Sequence, residues 1–323
     1  LGGAAMLLGI GAGWLTGALQ SAWGDPGSLH LGVWVSGWFV VLLPAAAGGI
    51  VEDMTQRLTA RNRLALTAVS GVLAVLLLDM TVTRLGLPWL DGLMETVPWL
   101  GWAIALLAVA GLPHAFNIID GYNGLAGMVA LIVCLALAHV ALQVGDRALA
   151  ALLITTAAAT GGFLVWNYPR GMLFAGDSGA YVWGVVIAMA SISLVQRNLE
   201  VSTWFPVLLL IYPVWETLFS IYRKLARGVS PGVADALHFH QLIYRRIVRG
   251  VFHDDNDVAR RMLMRNNRTS PYLWGFTLLT VAPAVLFWRH TAVLMAFCAL
   301  FGLSYVMAYL AIVRFKVPGW LRR

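Results

Sequence analysis

Residues 116–127 read Phe-Asn-Ile-Ile-Asp-Gly-Tyr-Asn-Gly-Leu-Ala-Gly (FNIIDGYNGLAG) and lie between two apolar runs, residues 99–116 and 124–142. Each run approaches the roughly 20 residues that cross a hydrocarbon core as a helix. Between them stand Asn117, Asp120 and Asn123, with Gly121 and Gly124 interleaved. Polar groups are costly inside a bilayer, so this stretch reads as a connector at a membrane face with a task of its own.

The pattern repeats along the chain. Of 323 residues, 60% are hydrophobic and only 11% are charged; a soluble domain would carry roughly 25% charged residues. Ten segments read as spans: about 1–19, 31–50, 64–79, 99–116, 124–142, 149–167, 178–195, 203–221, 272–288 and 291–313. None alternates apolar and polar residues as a transmembrane β-strand does. The fold class expected is therefore an all-α polytopic membrane protein, residues 1–323 forming one integral-membrane domain. Residues 80–98 contain Pro, Gly and acids. They read as an external or interfacial loop.

The formal charge of +7 has a membrane explanation rather than a nucleic-acid one. Eighteen of the 22 Lys and Arg residues fall in one alternate set of loops. Four, Arg84, Arg147, Arg197 and Arg289, fall in the other. The positive-inside rule makes the first set cytoplasmic. The loops at 51–63, 116–123, 167–177 and 222–271 all belong to that face. The last is the only long one; its piece QLIYRRIVRG sets Leu242, Ile243, Ile247 and Val248 against Arg245, Arg246 and Arg249. This predicts a basic amphipathic helix at the cytoplasmic surface, with a short solvated helix as the alternative. Cys134 and Cys298 lie in separate apolar runs and read as small buried hydrophobes.

Four clusters on the cytoplasmic face carry chemistry. Glu52 and Asp53 end an apolar run, where the helix dipole disfavours anions and Arg57 offers an offset. They read either as a solvated helix end or as a metal or proton site. In the opening stretch, Asn117 and Asp120 share the spacing of one helix face. Its glycines permit close approach to a phosphate; Asn123 reads alternatively as an N-cap. In WNYPRGMLFAGDSGAYVWG, Asp177 stands where a helix begins, a place for a carboxylate cap or for a carboxylate that shares Mg²⁺ with phosphates. In ALHFHQLIYRR, His238 and His240 lack third and fourth zinc ligands nearby and lie beside arginines, which suits phosphate better. His253, Asp254, Asp255 and Asp257 read as a solvated run. Together the four clusters supply the inventory of phosphoryl transfer.

These residues resemble the polyprenyl-phosphate N-acetylhexosamine-1-phosphate transferases, glycosyl transferase family 4, over nearly the whole chain and with four motifs in order. The resemblance puts the family's acidic pair on Glu52 and Asp53, with Glu in place of the first Asp. It puts the DG-x-DGL motif on HAFNIIDGYNGL: His114 replaces an Asn, Asn117 and Asp120 match, and Asn123 replaces the second Asp. Asn167 and Asp177 match the Asn…GD-x-G segment. His238 and His240 match the histidine motif, with Gln241 where a third His often stands and Ala236 where a basic residue is usual. Glu216 matches a further acidic position and reads as a supporting residue.

The resemblance implies transfer of a HexNAc-1-phosphate from a UDP-sugar to undecaprenyl phosphate, as the first step of a cell-envelope glycan such as O-antigen or exopolysaccharide. Mg²⁺, with Mn²⁺ as a substitute, would sit on Asp177 and Asp120. Glu52, Asp53, Asp120 and Asp177 would be catalytic. Asn117, Asn123, Asn167, His238, His240 and Arg245 would bind substrate. The partners are then undecaprenyl phosphate, UDP-HexNAc and membrane lipid, with no nucleic acid; a homodimer is compatible. The location is the bacterial inner membrane, with a cytoplasmic active site. Because the family carries one more N-terminal helix, the resemblance also implies eleven spans in a longer form, of which Leu1-Gly2-Gly3 is a late start. Two other classes compete. A transporter or flippase for a phosphorylated lipid would place its polar residues mid-bilayer in broken helices. A CDP-alcohol phosphotransferase type would need a longer Asp run.

Overall fold

One helix has no face left for lipid or water: every residue from Ser178 to Val195 is buried. It is the axis of the computed structural model, which describes residues 2–22, 31–230, 232, 237–248 and 258–313. Among these residues there are thirteen α-helices and one π-turn, and no strand. The helices are α1 (Gly2–Ala22), α2 (Gly32–Thr55), α3 (Ala60–Leu78), α4 (Pro88–Thr96), α5 (Trp99–Ile119), α6 (Leu125–Gln143) and α7 (Arg147–Asn167). They continue with α8 (Gly176–Arg197), α9 (Trp204–Leu209), α10 (Ile211–Leu225), α11 (Phe239–Ile243), α12 (Val258–Leu286) and α13 (Thr291–Val313). Ala236, Arg249, His253, Asp254, Asp255, Asp257, Arg314, Lys316, Arg322 and Arg323 lie outside the described residues.

Among the described residues, eight helices are long and apolar enough to cross a membrane: α1, α2, α3, α5, α6, α7, α8 and α13. They coincide with eight of the ten expected segments. The segment expected at 203–221 is instead two helices, α9 and α10, meeting at Leu210. Pro213 has no N–H to give the carbonyl four residues back, and its ring crowds that carbonyl, so the helix breaks there. The segment at 272–288 is the C-terminal part of a 29-residue helix that begins in a polar, Arg-rich stretch. The 80–98 connector contains the nine-residue helix α4, which begins with Pro88 at its first position.

Helix α8 packs against α5, α2 and α1, and small residues let it do so. A side-chain carbon on Gly184 would overlap the backbone of Pro113 in α5. One on Gly49 in α2 would overlap the backbone of Ser178. In a lipid solvent helices gain little from hydrophobic transfer between one another, and close backbone approach supplies the packing instead. At the end away from the acidic residues, Arg84 donates to the carbonyls of Asn198 (3.1 Å), Leu199 (3.2 Å) and Val201 (2.8 Å). The 80–98 connector thereby closes the chain that leaves α8.

The expected amphipathic helix is present in part. Phe239–Ile243 is α-helical and Tyr244–Val248 continues it as a π-turn. Leu242, Ile243 and Val248 are buried, whereas Arg245 and Arg246 are exposed.

Gly184→Val should therefore lower thermal stability in detergent by about 1–3 kcal/mol through overpacking. Gly161→Ala, where an added carbon meets nothing within 4 Å, should not lower it. Equal melting curves for wild type and Gly184→Val would contradict the close α5–α8 contact.

Candidate active site

The four sequence clusters meet at one end of the bundle. Helix α2 ends with Glu52 and Asp53, and α8 begins beside them. Asp53 Oδ1 accepts the Asp177 N–H at 2.8 Å, and its Oδ2 accepts the Ser178 N–H at 3.2 Å and the Ser178 hydroxyl. The side chain of one helix thus caps another. This answers the dipole problem at the end of α2: the anion sits on the positive end of α8. Gly176, with φ +68°, makes the turn into α8 and leaves room for the Asp53 carboxylate. Glu52 Oε2 accepts the Leu58 N–H at 2.8 Å and so tightens the turn after α2. The cation near this pair is Arg63 at 3.8 Å from Glu52; Arg57, the offset expected from sequence, is exposed.

Asp177 lies on the first turn of α8 and gathers residues from three helices. Its Oδ1 accepts the Asn117 amide at 2.7 Å. Its Oδ2 accepts Arg63 Nη1 at 2.6 Å and the Tyr181 hydroxyl at 3.0 Å. Asp120 follows the last residue of α5 and faces the same negative region. Burial, then the charges of Asp53 and Asp177, push its carboxyl up to about 7, against the opposing hydrogen bond from the Gly176 N–H. His114 does not join the carboxylates; it contacts Thr67 Oγ1 at 3.1 Å and packs edge-on against Tyr181.

Asn123 and Asn167, expected at the substrate, are engaged with the protein. Asn123 is buried, and its amide nitrogen donates to Asn267 Oδ1 at 3.0 Å and Pro169 O at 3.4 Å. Its backbone N–H donates to Asn266 Oδ1 at 2.8 Å, and its carbonyl accepts the Ser270 hydroxyl. It does not cap α6; that place falls to Gly124, at φ +73°. Asn167 accepts the Gly124 N–H and donates to Leu173 O at 2.7 Å. The two amides therefore pin the 120–124 turn to the 167–173 loop and to α12.

One residue beyond Asp120, the same turn touches the histidine pair. A side-chain carbon on Gly121 would lie 3.0 Å from His240 Nε2. Tyr122 packs edge-on against His240 and stacks on Tyr244 at 5.3 Å. The His238 and His240 rings lie parallel, 5.5 Å apart. Glu216 Oε1 contacts His238 Nδ1 at 3.0 Å. Arg245 is exposed on the turn that follows.

The oxygen-only donors Asp53, Asp120, Asp177 and Asn117 suit a hard cation. Among the described residues no three His, Cys, Asp or Glu side chains converge to hold an ion by themselves. The residues thus fit an ion taken by one or two carboxylates and completed by phosphate and water, the habit of Mg²⁺. Asp120 is buried, and the charges of Asp53 and Asp177 beside it are what such an ion would offset. Sequence reasoning missed Arg63 and Tyr181 as site residues. The charge of Arg63 counted only towards topology, and Tyr181 sits in an apolar run.

Residues 34–195, half of the chain, match the family model described as glycosyl transferase family 4. The chain is 25% identical to a probable undecaprenyl-phosphate N-acetylglucosaminyl 1-phosphate transferase of Bacillus subtilis, over 78% of this chain and 66% of the relative. It is 28% identical to an undecaprenyl-phosphate alpha-N-acetylglucosaminyl 1-phosphate transferase of Thermotoga maritima, over 65% and 62%. It is 32% identical to a phospho-N-acetylmuramoyl-pentapeptide-transferase of Synechococcus, over 73% and 66%. The chain spans about two thirds of the length of these relatives.

Burial holds the imidazole of His240 down to about 4, below its ordinary 6.5. Between those values the unfolded chain binds a proton that the folded chain does not, so this contribution to stability is present above pH 6.5 and lost as pH falls towards 4. Asp120 has the opposite slope, so the comparison is between variants. The melting temperature of wild type should fall further between pH 6.5 and 4.5 than that of His240→Gln; parallel curves would contradict a buried neutral His240.

Proposed function

This chain belongs to glycosyl transferase family 4, and from that premise we propose that it transfers a HexNAc-1-phosphate from a UDP-sugar to undecaprenyl phosphate, releasing UMP. The observation that carries the reading is the meeting of Asp120, Asp177 and Arg63 with His238 and His240 at one end of an apolar bundle. A transferred phosphoryl group needs positioned cations, a proton acceptor and fixed donors more than it needs covalent chemistry from the protein.

The residues divide the work. Asp53 holds the start of α8, and with it Asp177, in place. Asp177 is the candidate metal carboxylate, with Asp120 beside it; Mg²⁺, or Mn²⁺, would supply neutralisation of the nucleotide diphosphate. The Asp120 carboxyl, pushed up to about 7, is in its ionised form suited to accept a proton from the attacking lipid phosphate, or to align it. Glu52 remains a second candidate for that task. Arg63 moves between carboxylate and phosphate as the diphosphate arrives. Asn117 orients Asp177, His238 and Arg245 face the nucleotide, and His240, expected there too, is buried and packs against Gly121 and Tyr122. Asn123 and Asn167 act by fixing the turn that carries Asp120.

The location proposed is the bacterial cytoplasmic membrane, with ten spans and the site on the cytoplasmic face, where the basic loops fall. The pathway proposed is the opening step of an envelope glycan. The transporter reading gains nothing from the helix break at Leu210, because Leu208, Leu209, Leu210 and Ile211 around it are apolar and buried.

Purified protein with undecaprenyl phosphate, Mg²⁺ and a panel of UDP-HexNAc donors should release UMP from at least one, and a chelator should stop it. Absence of UMP from every donor would remove the transferase reading. Asp177→Asn should lower turnover by about 100-fold or more while the protein stays folded, the scale of losing a principal electrostatic group. Wild-type rates in that variant would remove the metal assignment.

A further inference from the structure

His238 and His240 stack on each other, yet only one of them has a buried acid behind it. Glu216, on α10, is 1% exposed. Its Oε1 accepts the backbone N–H of Phe239 at 2.9 Å and contacts His238 Nδ1 at 3.0 Å. Its Oε2 accepts the hydroxyl of Tyr305, on α13, at 2.8 Å. Tyr305 is fully buried. The backbone amide has only a proton to offer, so Oε1 is an acceptor. An imidazole nitrogen facing the same oxygen must then carry its own proton. Among the described residues, His240 has no such partner at Nδ1. The side chain of His238 keeps 12% exposure, so its ring still reaches the surface.

We propose that Tyr305 and Glu216 form a positioning relay that holds His238 as the Nδ1–H tautomer and leaves Nε2 to take up a proton from solvent, the imidazolium, balanced by the Glu216 carboxylate, then donating Nε2–H to an anionic substrate oxygen. The identity of that oxygen, a phosphate of the nucleotide donor, rests on the transferase reading; the relay itself does not. Neither Glu216 nor Tyr305 touches the reacting atoms. The relay also joins three elements, α10, α11 and α13, so the short α11 is oriented by the bundle rather than by its own five residues. A histidine ligand fixed by a carboxylate at its far nitrogen gains a defined tautomer and ring angle. Imidazole free in water prefers the other tautomer, which makes the relay measurable.

The test uses the whole protein, labelled with ¹⁵N-histidine, in lipid nanodiscs at pH 8. The groups facing His238 or its acid are Glu216 and Tyr212 on α10, His240 on α11 and Tyr305 on α13, with Arg223 on α10 acting on Tyr305. The His238 signals, assigned by their loss in His238→Gln, should show a protonated Nδ1 and a bare Nε2. A protonated Nε2 with a bare Nδ1 in wild type overturns the proposal, whether or not any variant folds. In Glu216→Ala the tautomer should revert to the solution form; an unchanged tautomer in folded Glu216→Ala also overturns it. Tyr305→Phe should lower kcat/KM by about 3–10-fold, the scale of one hydrogen bond. The same change made in Glu216→Ala should add no further loss; full additivity would overturn the relay. Failure of UMP release with the Nδ1–H signal intact sinks only the transferase reading. Release with the Nε2–H form sinks only the relay.

Discussion

The carboxylate of Asp53 on the first turn of α8 is the contact on which the rest of the site depends. It joins the end of α2 to the start of the most buried helix and meets three donors there. Capping a helix in this way is worth about 1 kcal/mol on the surface, and a charge at a partly buried helix end up to about 2 kcal/mol. Its larger effect is geometric. Gly176, Asp177 and Ser178 are ordered by it, and Asp177 in turn collects Asn117 from α5, Arg63 from α3 and Tyr181 from one turn further along α8. Four transmembrane helices are thus registered at one end through a pair of neighbouring aspartates.

Registration at that end would serve no chemistry if the opening turn moved. Residues 120–124 are held by amides rather than by a regular element. Asn123 and Asn167 spend their donors and acceptors on Pro169, Leu173, Gly124 and the polar face of α12. Buried amides carry a cost when unpaired, and these are paired within the chain. The turn then presents Asp120 to the carboxylates on one side and Gly121 and Tyr122 to the histidines on the other. Loop and spans therefore share the site: the turn, pinned by hydrogen bonds, carries Asp120, while α2, α3 and α8 carry Asp53, Arg63 and Asp177.

Particular residues show how far the sequence could be read. The apolar runs, the eight matching spans and the convergence of Asp120, Asp177 and His238 were legible, because membrane solvent imposes length and polarity rules on each segment separately. Glu216 was marked through a resemblance alone, and its pairing with His238 was not legible. The roles of Asp53, Asn123 and Arg63 were not. An anion at a helix end looks unfavourable until the N-terminus of another helix is brought against it. A buried Asn looks like a ligand-binding amide until its four intramolecular partners are known. Arg63 counts as one more cytoplasmic charge until α3 turns it towards Asp177. The helix break at Leu210 was missed although Pro206 and Pro213 marked it, because apolar length outweighed the missing hydrogen-bond donor.

What the sequence determined by itself is the class of molecule: an all-helical chain whose uncharged stretches are long enough to satisfy their backbone only as helices in lipid, with its reactive residues gathered in alternate loops. Those properties are local, since hydropathy and loop charge act segment by segment. What only the tertiary structure decided is which polar group serves which. Asp53 caps, Asp177 gathers, Asp120 is buried beside two other carboxylates, and Glu216 stands behind His238. Each of those assignments depends on a partner between 22 and 125 positions away in the chain. Electrostatics and hydrogen bonding act across a few ångströms of space, and the distance along the sequence carries no record of them.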